Sequence, residues 1–135
     1  MKYLLSVTAI SLQLLLFGCN PARRIEMKNM SGDTAQVIWK IQEDSSGQNP
    51  FNLSNNKELK FRLPPRGKGS TIAMSFGVGT WSPSELGFMI SKVESLEIIS
   101  ARRVVKIDSL PLLKDFLLAR RKGVGGLRIQ ILIAE

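Results

Sequence analysis

Short runs in which apolar and polar residues alternate recur along this chain of 135 residues. In the clearest run, at 35–41, every second side chain is apolar, and similar runs occur at 59–63, 72–78 and 127–133. A period of two is typical of a β-strand that buries one face and exposes the other. Ile38 is the one apolar residue on the polar side of the first run, where we expect it to be exposed.

Less regular segments complete the predicted strands. Residues 24–29 favour a brief strand at the edge of a sheet, and the apolar residues around 96–98 and 104–107 predict two strands joined by a short turn. The segment between 59–63 and 72–78 is rich in proline and glycine, which form turns. We therefore expect those two strands to pair with each other in antiparallel fashion.

Two helices are predicted from the signals at their ends. Ser82 precedes Pro83 and stands three residues before Glu85, which is the spacing of a capping box and predicts a helix from Pro83 to about residue 92. Cations and glycine are typical of a helix C-terminus. For the second helix we expect a start at Asp108 or Ser109, a last turn at Arg120, Arg121 and Lys122, and a stop at Gly123.

Together these segments predict a mainly β protein. No strand–helix–strand repetition indicates a parallel sheet, so we expect an antiparallel β-sandwich of about seven short strands with two short helices. An open antiparallel sheet backed by the two helices, of the α+β class, is the alternative.

Cys19 is the only cysteine of the chain, and it stands at the end of an apolar N-terminal stretch that follows Lys2. A positive start followed by a short apolar stretch is typical of a secretory signal. The stretch falls short of the roughly 20 apolar residues that a membrane-spanning helix needs. With a single thiol, the chain has no internal disulfide to stabilise it.

Leu16, Phe17, Gly18 and Cys19 resemble the lipobox of bacterial prolipoproteins, which has a leucine three residues before the modified cysteine and a small residue directly before it. The resemblance covers only the start of the chain and departs from the pattern at Phe17, where a small or β-branched residue is more usual. It implies cleavage between Gly18 and Cys19 and acylation of Cys19. Asn20 is not the acidic residue that marks inner-membrane retention in some bacteria, which implies the periplasmic side of the outer membrane.

We therefore expect a signal peptide at 1–18, a lipidated tether at 19–23 and a single β-rich domain at 24–135. Each buried methylene of an acyl chain stabilises membrane attachment by about 0.8 kcal/mol, and two or three chains hold a protein durably. The mature protein would be anchored to a membrane of the cell envelope without spanning it.

The chain is basic, with 19 Lys and Arg against 11 Asp and Glu and a net charge of +8. Such an excess favours anionic partners, which at a bacterial envelope are lipid headgroups, phosphorylated glycolipids or acidic wall polymers rather than nucleic acid. The alternative explanation for the positive charge is that it only keeps the surface solvated. For the cations near residue 120, helix capping explains much of the charge. The candidate anion-binding patch combines two clusters, Arg102, Arg103 and Lys106 with Arg120, Arg121 and Lys122.

The residue types present exclude several kinds of catalysis. The chain has no histidine, and acylation would remove its only thiol, so the usual general base and the thiol nucleophile are both missing. We expect no catalytic residue, no cofactor and no metal site. The remaining candidates for carboxylate chemistry do not share a predicted face; they are Glu94, Glu97, Asp108 and Asp115.

The favoured function is that of a small, non-catalytic envelope lipoprotein that acts as a binding or assembly module for an anionic envelope component or another envelope protein. Two alternatives stay open. One is a carboxylate-dependent enzyme of the cell wall or of glycolipids. The other is an inhibitor of a foreign enzyme that uses the long polar loop at 44–56, part of which Phe51 and Leu53 would pack onto the core.

Overall fold

A computed structural model describes residues 21–42, 51 and 57–134 of the chain. These residues form eight strands and two α-helices. The strands are β1 (Ala22–Asn29), β2 (Ala35–Ile41), β3 (Glu58–Leu63), β4 (Thr71–Val78), β5 (Val93–Ile99), β6 (Val104–Ile107), β7 (Arg121–Lys122) and β8 (Arg128–Ile133). The helices are α1 (Pro83–Ile90) and α2 (Leu110–Leu118), and a 3-10 turn at Val124–Gly126 lies between β7 and β8.

The strands are arranged in two four-stranded sheets. The first sheet has the order β4-β1-β8-β7 and the second has the order β3-β2-β5-β6. All the strand pairs are antiparallel except β1 and β8, which run parallel from Arg24 beside Arg128 to Asn29 beside Ile133. The first and last of the described strands are therefore neighbours in the middle of one sheet.

A single core fills the space between the two sheets. Alternate residues of the central strands are buried there, and the two helices add apolar side chains to the same cluster. Helix α2 contacts β5 and β6 of the second sheet and β8 of the first, so it lies along the side where both sheets end. The largest fully buried side chains are Ile25, Met27, Ile129 and Ile131 of the first sheet, Val37, Trp39, Leu63 and Leu96 of the second, Leu86, Leu113 and Leu117 of the helices, and Trp81, which precedes α1.

This architecture confirms the prediction of a mainly β fold with two helices. The alternating runs at 35–41, 59–63, 72–78 and 127–133 all lie on strands, because in each of them one face is apolar. The strand that the sequence does not predict is β7, whose two residues are too few to show a periodic pattern.

Two details of the predicted topology are wrong. β3 and β4 do not pair with each other, because β3 lies beside β2 in the second sheet and β4 lies beside β1 in the first. β1 is not an edge strand, because β4 and β8 flank it on both sides. Alternation reveals which face of a strand is buried, but it does not identify the neighbouring strand.

Ile38 is buried, with 6% exposure, contrary to the prediction from its position in the alternating run. It lies on the outer face of the second sheet, between Lys60 of β3 and Glu97 of β5. Lys40, on the same face, donates to Glu97 at 2.9 Å. The aliphatic stems of long side chains can shield a neighbouring residue on a central strand from water, and the Glu97 side chain is itself only 16% exposed.

The capping box of α1 forms as the sequence predicts. The hydroxyl of Ser82 accepts a hydrogen bond from the backbone N–H of Glu85 at 3.2 Å, and the Glu85 carboxylate accepts one from the backbone N–H of Ser82 at 3.5 Å. The helix ends at Ile90. In the described part of the chain, neither helix is long and apolar enough to cross a membrane.

The end of α2 differs from the prediction. The helix ends at Leu118, and Arg121 and Lys122 lie on β7 instead of forming a last helical turn. The cause is the pairing of this segment with β8. The pairing already includes Arg120, whose carbonyl accepts a hydrogen bond from the backbone N–H of Gln130 at 3.0 Å. Gly123, with φ of +81°, follows this strand and does not end the helix.

The buried side chain of Asn29 ties the end of β1 to the end of β3. Its Nδ2 donates to the carbonyl oxygens of Asp33 at 2.7 Å, Leu63 at 3.2 Å and Pro64 at 2.9 Å. Its Oδ1 accepts from the backbone N–H of Ser31 at 3.0 Å and from the Ser31 hydroxyl at 2.8 Å. One amide therefore connects the two sheets where the chain crosses between them.

Candidate functional site

A cleft of about 650 Å³ opens between the C-terminal end of β4 and helix α1. Three elements bring side chains to it: the start of β1, the end of β4 and the first two turns of α1 with the segment before them. The residues on which the site depends are Arg23, Phe76, Trp81, Glu85, Phe88 and Met89.

Arg23 is held in the cleft by three contacts. Its Nε donates to the carbonyl of Phe76 at 3.1 Å, and its guanidinium carbon lies 5.2 Å from the centre of the Trp81 ring. Its Nη1 forms an ion pair with Oε1 of Glu85. A guanidinium over an indole face gains about 0.5–2 kcal/mol, depending on how far it is desolvated. With only 19% of its side chain exposed, Arg23 is a fixed part of the wall.

Glu85 joins the helix cap to the cleft. Its place as the third residue of the capping box turns its carboxylate back toward Ser82 and Arg23. The Arg23 guanidinium in contact with it holds the pKa of Glu85 below its ordinary value of 4.5; partial burial opposes this shift, and the backbone N–H of Ser82 adds to it. At neutral pH this carboxyl group is therefore ionised and has no proton to donate.

Aromatic rings form a continuous stack from the core to the floor of the cleft. The ring of Phe76 lies 5.3 Å from Trp81 and 5.7 Å from Phe51, and Phe51 lies 5.4 Å from Trp39, in tilted or edge-on arrangements. These geometries are the favourable ones for aromatic pairs. Trp81 is 1% exposed and donates its Nε1–H to the carbonyl of Arg24 at 3.0 Å. The floor is consequently rigid.

Phe88 forms the rim of the cleft and is 74% exposed. Helix α1 buries Leu86, Met89 and Ile90, which leaves Phe88 on the face turned to solvent and to the cleft. Trp81 lies beneath the Arg23 guanidinium and is 1% exposed, so the aromatic surface open to a ligand comes from Phe88 and from the partly buried Phe76. Among the described lining residues, the titratable groups are Arg23 and Glu85, and each neutralises the other. The arrangement is suited to holding an apolar group.

None of these residues is among the candidate site residues predicted from the sequence, although the sequence contains part of the signal. Arg23 lies in the predicted tether, and Glu85 is predicted only as a capping residue. Glu85 and Phe88 are three positions apart on a helix, so they share a face. The two consecutive arginines Arg23 and Arg24 begin a strand, which sends one of them to each face. Their meeting at one cleft depends on the tertiary fold.

The first predicted basic cluster lies on the hairpin at the edge of the second sheet. Arg102 and Arg103 are exposed in the turn between β5 and β6, and Lys106 follows on β6. Lys106 lies 3.8 Å from Asp108 in an exposed ion pair. Exposed pairs of this kind contribute little to stability, so the cluster remains available to solvent.

The second predicted cluster lies after α2, at the edge of the first sheet. Arg120 donates from Nη1 to the carbonyl of Phe116 at 2.8 Å and stacks over the Phe116 ring at 3.5 Å. Arg121 donates from Nη1 to the carbonyl of Trp81 at 3.1 Å. These two arginines bind backbone carbonyls, and Lys122 is exposed. Since the two clusters lie in different sheets, a single patch made of both stays a prediction.

The remaining predicted residues are partly outside the described structure. Glu97 pairs with Lys40 at 2.9 Å, and Glu94 and Asp115 are exposed. In residues 21–42, 51 and 57–134 no group of three or more His, Cys, Asp or Glu is placed to hold a metal ion. The lipid-attachment site at Cys19, the cleavage site after Gly18 and the loop at 44–56 lie outside the described residues, except for Phe51.

Comparison with protein-family models, with characterised proteins and with solved structures finds no match for this chain. The chemistry of the site is therefore the basis for any statement about function.

Proposed function

We propose that this protein is a small, non-catalytic lipoprotein of the bacterial envelope, held at a membrane by acylated Cys19, and that its domain binds a ligand in the cleft beside α1. The composition of the cleft carries the proposal. Its lining combines the aromatic and apolar residues Phe76, Trp81, Phe88 and Met89 with Ser75, Gly77 and Ser84, and its charged groups, Arg23 and Glu85, are already paired with each other. Such a site is suited to binding, because its carboxylate is ionised and already paired with Arg23.

The shape of the cleft indicates the chemical class of the ligand. A volume of about 650 Å³ falls within the range of roughly 300–1,000 Å³ that is typical of ligand sites. Phe88 at the rim and Phe76 at the floor favour an apolar or aromatic group, with a polar portion beside the Arg23–Glu85 pair. An envelope lipid or a protruding side chain of another envelope protein has this character.

The position of the cleft supports a ligand at the membrane. Arg23 is four residues after Cys19, and an extended chain spans at most about 3.6 Å per residue, so the two lie within about 15 Å of each other. An acylated Cys19 would keep the cleft close to the bilayer surface, where envelope components with apolar groups are concentrated.

The alternative of a carboxylate-dependent enzyme of wall polymers or glycolipids typically needs two carboxyl groups, one of which donates a proton near neutral pH. The pKa of Glu85 is shifted in the opposite direction by its contact with Arg23. This observation favours binding over acid–base chemistry in the cleft.

Photo-crosslinking tests the cleft as the binding site. In growing bacteria, Phe88→p-benzoylphenylalanine is expected to give one discrete adduct, whose mass identifies a lipid or a protein. The matched control is Leu112→p-benzoylphenylalanine, which places the same probe on α2, at an apolar residue that is 63% exposed and lies outside the cleft. Equal labelling at the two positions, or none at position 88, would refute binding in the cleft.

Mass spectrometry tests the anchor. Protein isolated from bacterial membranes should begin at Cys19 and carry the added mass of acyl chains, and Cys19→Ala should remove that mass and release the protein from membranes. An unmodified thiol in the native protein would overturn the lipoprotein part of the proposal.

A further inference from the structure

Three cations lie side by side across the first sheet. Arg24 of β1 is in register with Arg128 of β8, and Arg128 is in register with Lys122 of β7. Residues in register on neighbouring strands share one face of a sheet. That face is the outer one, because the adjacent residues Ile25 and Ile129 are buried in the core. We call the three exposed residues Arg24, Arg128 and Lys122 the cation row.

The fold leaves most of this charge uncompensated. Like charges directly opposite one another destabilise a sheet. Arg128 lies 3.7 Å from the Glu26 carboxylate, which also accepts a hydrogen bond from Gln130 at 3.5 Å. Among the residues that the structure describes, neither Arg24 nor Lys122 has a carboxylate within 4.0 Å. An anionic partner outside the described chain would supply the missing countercharge.

The cation row lies at the end of the first sheet where β1 begins, three residues after Cys19 in the sequence. The parallel strands β1 and β8 both begin there, and the antiparallel neighbours β4 and β7 both end there. Arg24 follows Cys19 by five residues, a span of at most about 18 Å. We call this the tether end of the first sheet.

Two exposed apolar residues lie at the same end. Val78, the last residue of β4, is 57% exposed and is in register with Ala22. Val124, in the turn between β7 and β8, is 88% exposed. The turn is held in place, because the carbonyl of Gly126 accepts a hydrogen bond from the backbone N–H of Trp81 at 2.9 Å. Cations beside exposed apolar residues are typical of a surface that meets the boundary between headgroups and acyl chains.

We propose that the tether end docks onto an anionic lipid surface, with the cation row against lipid phosphates and with Val78 and Val124 at the acyl boundary. The inference rests on the proposed function in one respect, because acylated Cys19 would bring this end to the bilayer. Charge complementarity and the short link to Cys19 support a membrane as the occupant. Docking would fix the orientation of the domain and hold the cleft, which opens at the same end, against the surface.

Vesicle flotation tests the docking with the full chain carrying Cys19→Ala, so that no acyl group contributes. Binding to vesicles of phosphatidylcholine alone measures the background from the rest of the chain. Adding about a third of phosphatidylglycerol should raise the affinity, because cations near an anionic surface each contribute about fivefold. Neutralising the cation row with Arg24→Gln, Arg128→Gln and Lys122→Gln should lower the affinity for these vesicles about a hundredfold.

The matched control removes three cations on and just after β3 of the second sheet by Lys60→Gln, Arg62→Gln and Arg66→Gln, all at exposed positions. Both triple variants lose the same net charge, and circular dichroism confirms that each is folded. Docking is supported if the control variant keeps the higher affinity for vesicles with phosphatidylglycerol and the cation-row variant loses it. Equal losses would show that net charge alone is responsible, and an absence of any gain in the parent would also refute the docking.

Tryptophan fluorescence provides a second readout that works on the acylated protein. Val124→Trp should show a blue-shifted emission on vesicles that contain phosphatidylglycerol, and Val104→Trp, at a residue 68% exposed on β6, should not. Acylation of Cys19 is measured separately by mass. An acylated protein without an emission shift at position 124 would refute the docking and leave the proposed function standing. An unacylated protein that shows the shift would support the docking and refute the lipid anchor of the proposed function.

Discussion

Replacing Asn29 by alanine should destabilise the domain more than any surface change, because one buried amide connects the two sheets. The side chain donates three hydrogen bonds, to carbonyls on Asp33, Leu63 and Pro64, and accepts two from Ser31. Nδ2 carries only two hydrogens, so the three donated contacts count as about two full bonds. At about 1 kcal/mol for each net bond, Asn29→Ala should lower the free energy of unfolding by about 4 kcal/mol.

Urea unfolding followed by tryptophan fluorescence measures this loss, since Trp39 and Trp81 are both buried. With an m-value of about 2 kcal/mol/M, the midpoint should fall by about 2 M with an unchanged slope. The melting temperature should fall by roughly 15 °C. Domains of ordinary stability have only about 5–15 kcal/mol in total, so a large part of the stability depends on this residue.

The control is Asp33→Ala, because Asp33 takes part in the same turn only through its backbone. Its exposed side chain should contribute less than about 0.5 kcal/mol. A second variant, Asn29→Asp, retains the size of the side chain but places a carboxylate against three carbonyl oxygens, so it should be at least as destabilising as Asn29→Ala. A loss below about 1 kcal/mol for Asn29→Ala, or one equal to that of Asp33→Ala, would refute the reasoning, since each net hydrogen bond is expected to contribute about that much.

Three further predictions concern other parts of the fold. Contact with Arg23 lowers the pKa of Glu85 in the folded protein. The ionised carboxylate therefore stabilises the fold above the ordinary pKa of 4.5, and this stabilisation is lost as pH falls through the folded pKa. Glu85→Gln should consequently be less stable than the parent at pH 7 and equally stable in acid. Urea unfolding at both pH values checks this, and a difference that persists in acid contradicts it. Ser70 is 2% exposed and forms two hydrogen bonds with Gly67. Ser70→Ala should therefore lower the free energy of unfolding by about 1 kcal/mol, measured by thermal unfolding. An unchanged stability would contradict the contribution of those bonds. Ile38→Ala should cost about 2 kcal/mol by urea unfolding because the side chain is buried, whereas a cost near zero would restore the interpretation of an exposed residue.

The sequence predicted those elements whose signals are local. Alternation located the strands at 35–41 and 127–133, because a strand with one buried face must repeat every second residue. The capping box located the start of α1 at Pro83, because its hydrogen bonds join residues only three positions apart.

Pairing between distant segments was not predictable in the same way. Glu26 and Gln130 are hydrogen-bonded neighbours 104 residues apart in sequence, and no periodicity within either strand identifies the other. Ile38 was misassigned for a related reason, because its burial depends on Lys60 and Glu97 from two other strands.

The candidate site shows the same division. Glu85 and Phe88 are on one helical face by their spacing, which the sequence contains. Arg23 joins them only because β1 lies beside β4 in the first sheet, which brings Arg23 to the carbonyl of Phe76. The cation row likewise needs the register of three strands, of which β7 has no sequence signal.

The parallel pairing of β1 with β8 determines when the first sheet can be completed during folding. β8 lies between β1 and β7 in the first sheet, so β1 has an open edge until residues 128–133 have emerged from the ribosome or an export channel. Open strand edges pair readily with other chains. The first sheet can therefore be completed only once residues 128–133 are available, and products that end before them are expected to aggregate instead of forming a smaller native domain.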